Sequence, residues 1–168
     1  MIWLASDVLF FGALFAAYFT LRADAEVWPP PDVDLVVPRA LVFTLVLVAS
    51  SFTMERAVAA AKSGSGHLAV SWLAGTVLLG VLFIANQTLE YTTLDFAIST
   101  HAYGTMYYLM TGFHLLHVAG GIVVMVLLLV MGGRLLVARE SWIRSTSYFW
   151  HFVDVVWVVL FATIYLLQ

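Results

Sequence analysis

Apolar residues in this chain neither alternate nor keep to one face of a helix; they run in long blocks broken by short polar links. A helix needs ~20 predominantly apolar residues to cross a bilayer. Five blocks meet that length: about 2–21, 39–61, 69–89, 102–131 and 146–167. The pattern predicts an all-α membrane protein, a bundle of five transmembrane helices, with residues 1–168 forming a single transmembrane helical domain. Because the links are short, consecutive helices are expected to be antiparallel neighbours. The fourth block, at ~1.5 Å per residue, would reach ~45 Å against a hydrocarbon layer of ~30 Å, so it must tilt or project. Gly120-Gly121 and Gly132-Gly133 lie along it, where small residues let neighbouring backbones approach. The first block has no basic flank, carries Asp7 and offers no small-residue cleavage site, so it is expected to stay in the mature protein.

Composition agrees with the pattern. Hydrophobic residues make up 63% of the chain and charged residues 10%, with a mean hydropathy of +1.01, whereas soluble domains are about 45–50% apolar. Cysteine is absent, which excludes disulfides, thiolate metal sites and c-type haem attachment. Nothing in the charge distribution points to nucleic acid. The basic residues set an orientation, since Lys and Arg accumulate on the cytoplasmic side. Arg56 and Lys62 close the second block, and Arg134, Arg139 and Arg144 follow the fourth. The link after the first block is acidic between Arg22 and Arg39, and the one after the third has no Lys or Arg. The N-terminus is therefore expected in the cytoplasm and the C-terminus in the periplasmic or extracellular space. Trp28 and the run Pro29-Pro30-Pro31 read as a stiff interfacial loop.

Ionisable groups inside a span are costly, about 2.5 to 3.5 kcal/mol at the helix centre on insertion scales, and normally face other helices or a cavity. Asp7, His114, His117, His151 and Asp154 are the residues to explain. His114 and His117 stand three apart, as do His151 and Asp154, so each pair shares a helix face. Tyr103, Tyr107, Met110, His114, His117 and Gly121 form one stripe at alternating spacings of four and three. Imidazoles invite a metal or haem, but depth counted from the helix ends puts His151 ~9 Å in and His117 and His114 ~20 to 25 Å in. That separation argues against a shared ligand set, and the histidines are expected instead to hydrogen-bond and fix helix docking. Asp7 and Asp154 fall at a similar level on the same counting. Asp7, with no basic residue in its own span, is expected to be a buried carboxylate near the proton-uptake side.

Several stretches are similar to one family. Tyr-Phe-Trp-His-Phe-Val-Asp-Val-Val-Trp at 148–157 closely resembles a signature of subunit III of haem-copper terminal oxidases, in its short five-helix prokaryotic form. Thr-Gly-Phe-His-Leu-Leu-His-Val-Ala-Gly-Gly at 111–121, Gln-Thr-Leu-Glu-Tyr at 87–91 and Ala-Ser-Asp-Val-Leu-Phe-Phe at 5–11 resemble further motifs, in order along the chain. The resemblance implies a non-catalytic core subunit of a proton-pumping aerobic cytochrome c oxidase in the respiratory chain of a bacterial plasma membrane. It implies no catalytic or metal-binding residue in this chain, with haem and copper held by subunits I and II. It implies a main contact with subunit I, contact with subunit II, bound phospholipids, a place open to a respiratory supercomplex, and support of proton uptake and of stability during turnover. Gln87, Glu90, His114, His117, Trp150, His151, Asp154 and Trp157 are then structural signature residues, and Asp7 stands where the family usually has a carbodiimide-reactive Glu. Asp7 and the Leu115-Leu116 pair also resemble subunit III-like partners of nitric oxide reductases. The equivalent subunit of a quinol oxidase or nitric oxide reductase is thus the alternative.

The orientation is testable because the chain has no cysteine. A cysteine placed at Ser99 should react with an impermeant maleimide in intact cells, and one at Ser65 should not; the opposite pattern would invert the topology.

Overall fold

A computed structural model describes the backbone of residues 2–167 and the side chains of residues 4–167. Its described residues are helical or irregular, without strands. The helices are α1 (Ile2–Asp24), α2 (Val37–Lys62), α3 (Gly66–Tyr91), α4 (Ala102–Met131), α5 (Gly133–Ala138) and α6 (Glu140–Phe161). A π-helical turn, Ala162–Leu166, continues α6. Five of these are long and apolar enough to cross a membrane, the fifth being α6 with its π turn.

Local chemistry sets the ends. Pro38 opens α2, where its missing N–H costs no helical bond. Gly64, at φ +81°, turns the chain out of α2 while Ser65 N–H reaches Ala60 O at 2.9 Å, so the α2–α3 link is tight. His101 caps α4, its Nδ1 accepting from Gly104 N–H at 2.7 Å. The proline loop is folded down on the helix ends: Trp28 Nε1 donates to Tyr18 Oη at 2.9 Å, and the indole meets the rings of Tyr18 and Tyr103 edge-on, each at 5.2 Å.

α6 lies at the centre. Of its most apolar stretch 61% is buried, against 11% for α1 and 28% for each of the other three. It packs on α2 and α4, and α3 closes the group by pairing with both of them. The core holds Trp150, Trp157, Phe83, Leu47, Met54, Leu73, Met110 and Met125, all at or near zero exposure.

Two expectations are corrected here. The last helix begins at Glu140, not near 146, so Arg144 lies inside a helix rather than in a link. The polar run there is amphipathic: Ile143, Thr146 and Ser147 are buried, while Arg144 reaches Glu140 at 3.6 Å, one turn away on the exposed side. A hydropathy window averages those two faces and sees only the polar one. The glycine pairs on the fourth span also divide. Gly132, at φ +80°, ends α4 instead of continuing it. Gly133 meets the backbone of Gly66, and a Cβ there would fall 2.5 Å from the Gly66 carbonyl oxygen. Gly120 faces open space, whereas a Cβ on Gly121 would lie 2.9 Å from the Trp150 ring.

Because Trp150 is fully buried and a Cβ on Gly121 would lie 2.9 Å from its ring, Gly121→Val should cost about 1–3 kcal/mol through overpacking. Gly120→Val should leave the thermal midpoint of the detergent-solubilised protein nearly unchanged. Equal effects would mean that α4 and α6 do not meet at Gly121.

Candidate functional site

Three groups of polar side chains within the spans stand out among the described residues. The largest is the α2–α6 seam. Along α6, Ser147, Trp150, His151, Asp154 and Trp157 recur at helical spacing on one side, and α2 answers with Thr44, Ser50, Ser51 and Glu55. Trp157 Nε1 donates to Thr44 Oγ1 at 2.9 Å, and Trp150 Nε1 to Ser50 Oγ at 2.9 Å. Ser51 Oγ lies 2.8 Å from His151 Nδ1 and bonds Asp154 Oδ2. His151 Nε2 lies 2.8 Å from Glu55 Oε1, which also accepts from Ser147 Oγ at 2.9 Å.

Glu55, Ser51, His151 and Asp154 thus form one hydrogen-bonded chain. It admits two proton arrangements with the same heavy atoms. In one, Ser51 donates to Asp154 and the imidazole donates from both nitrogens. In the other, a protonated Asp154 donates to Ser51, which donates to a neutral His151.

The second place is the end of the bundle where α3 finishes and α4 begins. Glu90 is buried between α3, α4 and the π turn. Its Oε1 accepts from Tyr165 Oη at 2.7 Å, and Tyr107 Oη lies 3.3 Å from both Glu90 Oε1 and Tyr165 Oη. Gln87 Nε2 donates to Tyr107 Oη at 3.3 Å. The wider π turn brings Tyr165 inward onto Glu90. Arg39 is held nearby, its Nε donating to Asn86 Oδ1 at 2.7 Å.

The third place is the α1–α4 crevice. His117 Nε2 lies 3.6 Å from Asp7 Oδ1. Its Nδ1 is 2.7 Å from Phe113 O; a carbonyl can only accept, so that nitrogen carries a proton and Nε2 faces the carboxylate. Phe11 packs edge-on to the imidazole at 5.0 Å and Phe10 stacks on it at 6.4 Å. Asp7 Oδ2 is buried without a hydrogen bond.

The depth arithmetic from the sequence is corrected by this pair. Counting from helix ends put Asp7 near the level of Asp154 rather than that of His117, but the helices are not flush. α4 runs on from His117 to Met131, while α1 begins only a few residues before Asp7. Asp7 therefore has a basic partner, on α4 rather than in its own span. The predicted stripe also bends: Tyr103, Tyr107, Met110, His114 and Gly121 are buried inside, but Val118 rather than His117 continues the row. A helix of 3.6 residues per turn drifts off a strict 3.5 spacing, carrying His117 round toward α1.

The histidines face three different neighbours. His114, fully buried, packs its ring 5.0 Å from that of Trp157 and edge-on to Phe83 at 5.9 Å. Neither of its nitrogens has a hydrogen-bond partner among the described residues, so the hydrogen-bonding expected of it is replaced by aromatic packing. No group of three or more His, Cys, Asp and Glu side chains comes close enough to hold a metal among the described residues. Sequence reasoning passed over Glu55, Ser50 and Ser51 on α2. The signal was present, since Glu55 is an ionisable residue inside a span and Ser51 stands four residues before it on the same face.

The arrangement defines a class: a multi-pass helical membrane protein whose intramembrane polar groups join helix to helix. The cytochrome c oxidase subunit III family model matches residues 1–168, and the chain belongs to that family, which supplies a subunit of an oxidoreductase complex of the respiratory chain. It is 42% identical over 174 residues to a protein named probable cytochrome c oxidase subunit 3 from Mycobacterium tuberculosis (strain ATCC 25618 / H37Rv), spanning 100% of this chain and 86% of that one. A protein of the same name from Nocardia farcinica (strain IFM 10152) is 44% identical over 177 residues, with the same coverage. The cytochrome c oxidase subunit 3 of Thermostichus vulcanus is 36% identical over 177 residues, spanning 99% of this chain and 85% of that one.

Glu90→Ala should leave the buried hydroxyls of Tyr107 and Tyr165 without their acceptor and destabilise the protein by about 2 to 4 kcal/mol. Glu90→Gln, which keeps an acceptor, should cost clearly less. Unfolding in a denaturing detergent, followed by tryptophan fluorescence, checks both; equal costs would mean that Glu90 does not receive these bonds.

Proposed function

We propose that this chain is the non-catalytic subunit III of a proton-pumping aerobic cytochrome c oxidase in a bacterial plasma membrane, with its N-terminus in the cytoplasm. It packs on the haem-bearing subunit I and contacts subunit II. The observation that carries this is the family match over residues 1–168, joined to side-chain geometry in which the signature residues Trp150, His151, Asp154 and Trp157 bind α6 to α2. Residues engaged in that way are structural. The relatives named for cytochrome c oxidase favour cytochrome c over a quinol as the electron donor.

Two further roles belong to the same proposal. Phospholipid is held against the oxidase, and an apolar cleft of about 360 Å³ between α4 and α6, lined by Gly120, Val124, Ser145, Thr146 and Phe149, has the character an acyl chain needs. Proton uptake is supported near Asp7, whose pairing with His117 sets two ionisable groups side by side within the span.

Removing the chain should therefore leave the haem and copper content of the remaining complex almost unchanged, and most of the initial activity should survive. Activity should then decay during turnover. Oxygen consumption followed in time at matched haem content checks this. Immediate and complete loss with intact haem spectra would place the chain in catalysis itself.

A further inference from the structure

The two ends of the bundle differ in charge. Arg56, Lys62, Arg134, Arg139 and Arg144 all fall toward the end where α2 passes into α3 and α4 into α5 and α6. Trp142 is exposed there, with the Arg139 guanidinium over its ring at 5.4 Å. Basic and aromatic side chains together at the end of a span mark the level of lipid headgroups.

At this end a cavity of about 650 Å³ opens between the start of α3 and the corner where α4 meets α5. Glycine makes the room. Gly64 and Gly132, both at positive φ, turn the chain on either side of it, and a Cβ on either would meet nothing within 4 Å. Gly66 and Gly133 hold the two sides together backbone to backbone, since a Cβ on Gly66 would lie 2.6 Å from the Gly133 carbonyl oxygen. The rest of the lining is divided by chemistry. Val70, Leu129 and Val137 make an apolar side. His67 and Arg134 make a polar one, and neither side chain has a hydrogen bond or ion pair among the described residues. No Asp or Glu lines the cavity among the described residues.

Each feature narrows the occupant. A guanidinium with its fork of donors unmet matches the oxygens of a phosphate. Without a carboxylate in the lining, a choline or ethanolamine headgroup finds no partner for its positive end, so a headgroup of net negative charge fits best. A free phosphate would leave the valine and leucine side uncovered, whereas an acyl chain covers it.

We propose that this cavity binds an anionic phospholipid, with its phosphate held by Arg134 and His67 and the upper part of one acyl chain laid against Val70 and Leu129. The site is separate from the α4–α6 cleft around Gly120 and Val124. It goes beyond the role proposed above and does not depend on it, and it gives this protein a headgroup preference that an apolar cleft cannot supply.

Photolabelling tests it without altering the cavity. The full chain, purified from native membranes with whatever subunits it retains, is exchanged into phosphatidylglycerol or phosphatidylcholine carrying a diazirine near the acyl ester. Adducts at Val70 and Leu129 are mapped by mass spectrometry and normalised to those at Val123 and Leu127, which are exposed on α4 and meet any lipid. Phosphatidylglycerol should label the cavity about tenfold more than phosphatidylcholine. Arg134→Gln should remove that excess, the equivalent of one lost charged hydrogen bond. Arg139→Gln, which makes the same change of charge on a residue outside the lining, should keep it. Both arginines are exposed, and unchanged label at Val123 and Leu127 reports intact insertion. Equal labelling by the two lipids, equal effects of the two variants, or no adduct at Val70 and Leu129 would overturn the proposal. Excess inorganic phosphate should not compete; if it strips the label, the site takes free phosphate and the lipid assignment is overturned.

Discussion

In hydrocarbon a polar side chain has no water to turn to, and the α2–α6 seam is built around that constraint. Two buried indole N–H groups, a serine–histidine–carboxylate chain and a further serine all find partners on the facing helix. Apolar packing alone does not choose one helix pairing over another in lipid, because the tails are as apolar as the side chains. The hydrogen bonds do choose. Trp150 reaches Ser50, and Trp157 reaches Thr44, in only one register of α6 against α2. With α6 fixed, Gly121 and Gly80 are the places on α4 and α3 that admit the Trp150 ring.

Outward from the seam the consequences differ by end. Toward α3 and α4 the Glu90 group ties Tyr107 and Tyr165, so that the π turn after α6 is part of the same polar framework. Toward α1 the contact is sparse. α1 is the least buried span, held mainly by Phe11, Tyr18 and the Asp7–His117 pair. A helix so attached is easier to displace than α6. Stability is therefore concentrated on α6, which suits a subunit whose proposed work is support rather than chemistry.

Much of this was legible in the chain. Blocks of apolar residues give the five spans because hydropathy is a property of composition. The signature residues stand out because an ionisable group in lipid must have a reason. What sequence did not give was relative height. Depth counted from helix ends assumes flush helices, and the assumption separated Asp7 from His117 when α4 simply runs further than α1. Glu55 lay unremarked on α2 although it is an ionisable residue inside a span; its partners, Ser147 and His151, come from the far end of the chain. The early start of α6 was hidden for a different reason, since an amphipathic turn such as 140–147 reads as polar when its two faces are averaged.

The central claim is that specific hydrogen bonds, and not apolar contact alone, hold α6 to α2. A double-mutant cycle on Ser50→Ala and Trp150→Phe in detergent-unfolding experiments addresses it most directly, because the cycle cancels the packing change each substitution makes alone. The buried bond between Trp150 Nε1 and Ser50 Oγ should appear as a coupling of about 0.5 to 1.5 kcal/mol. Strictly additive effects, with no coupling, would contradict it and leave α6 held by shape alone.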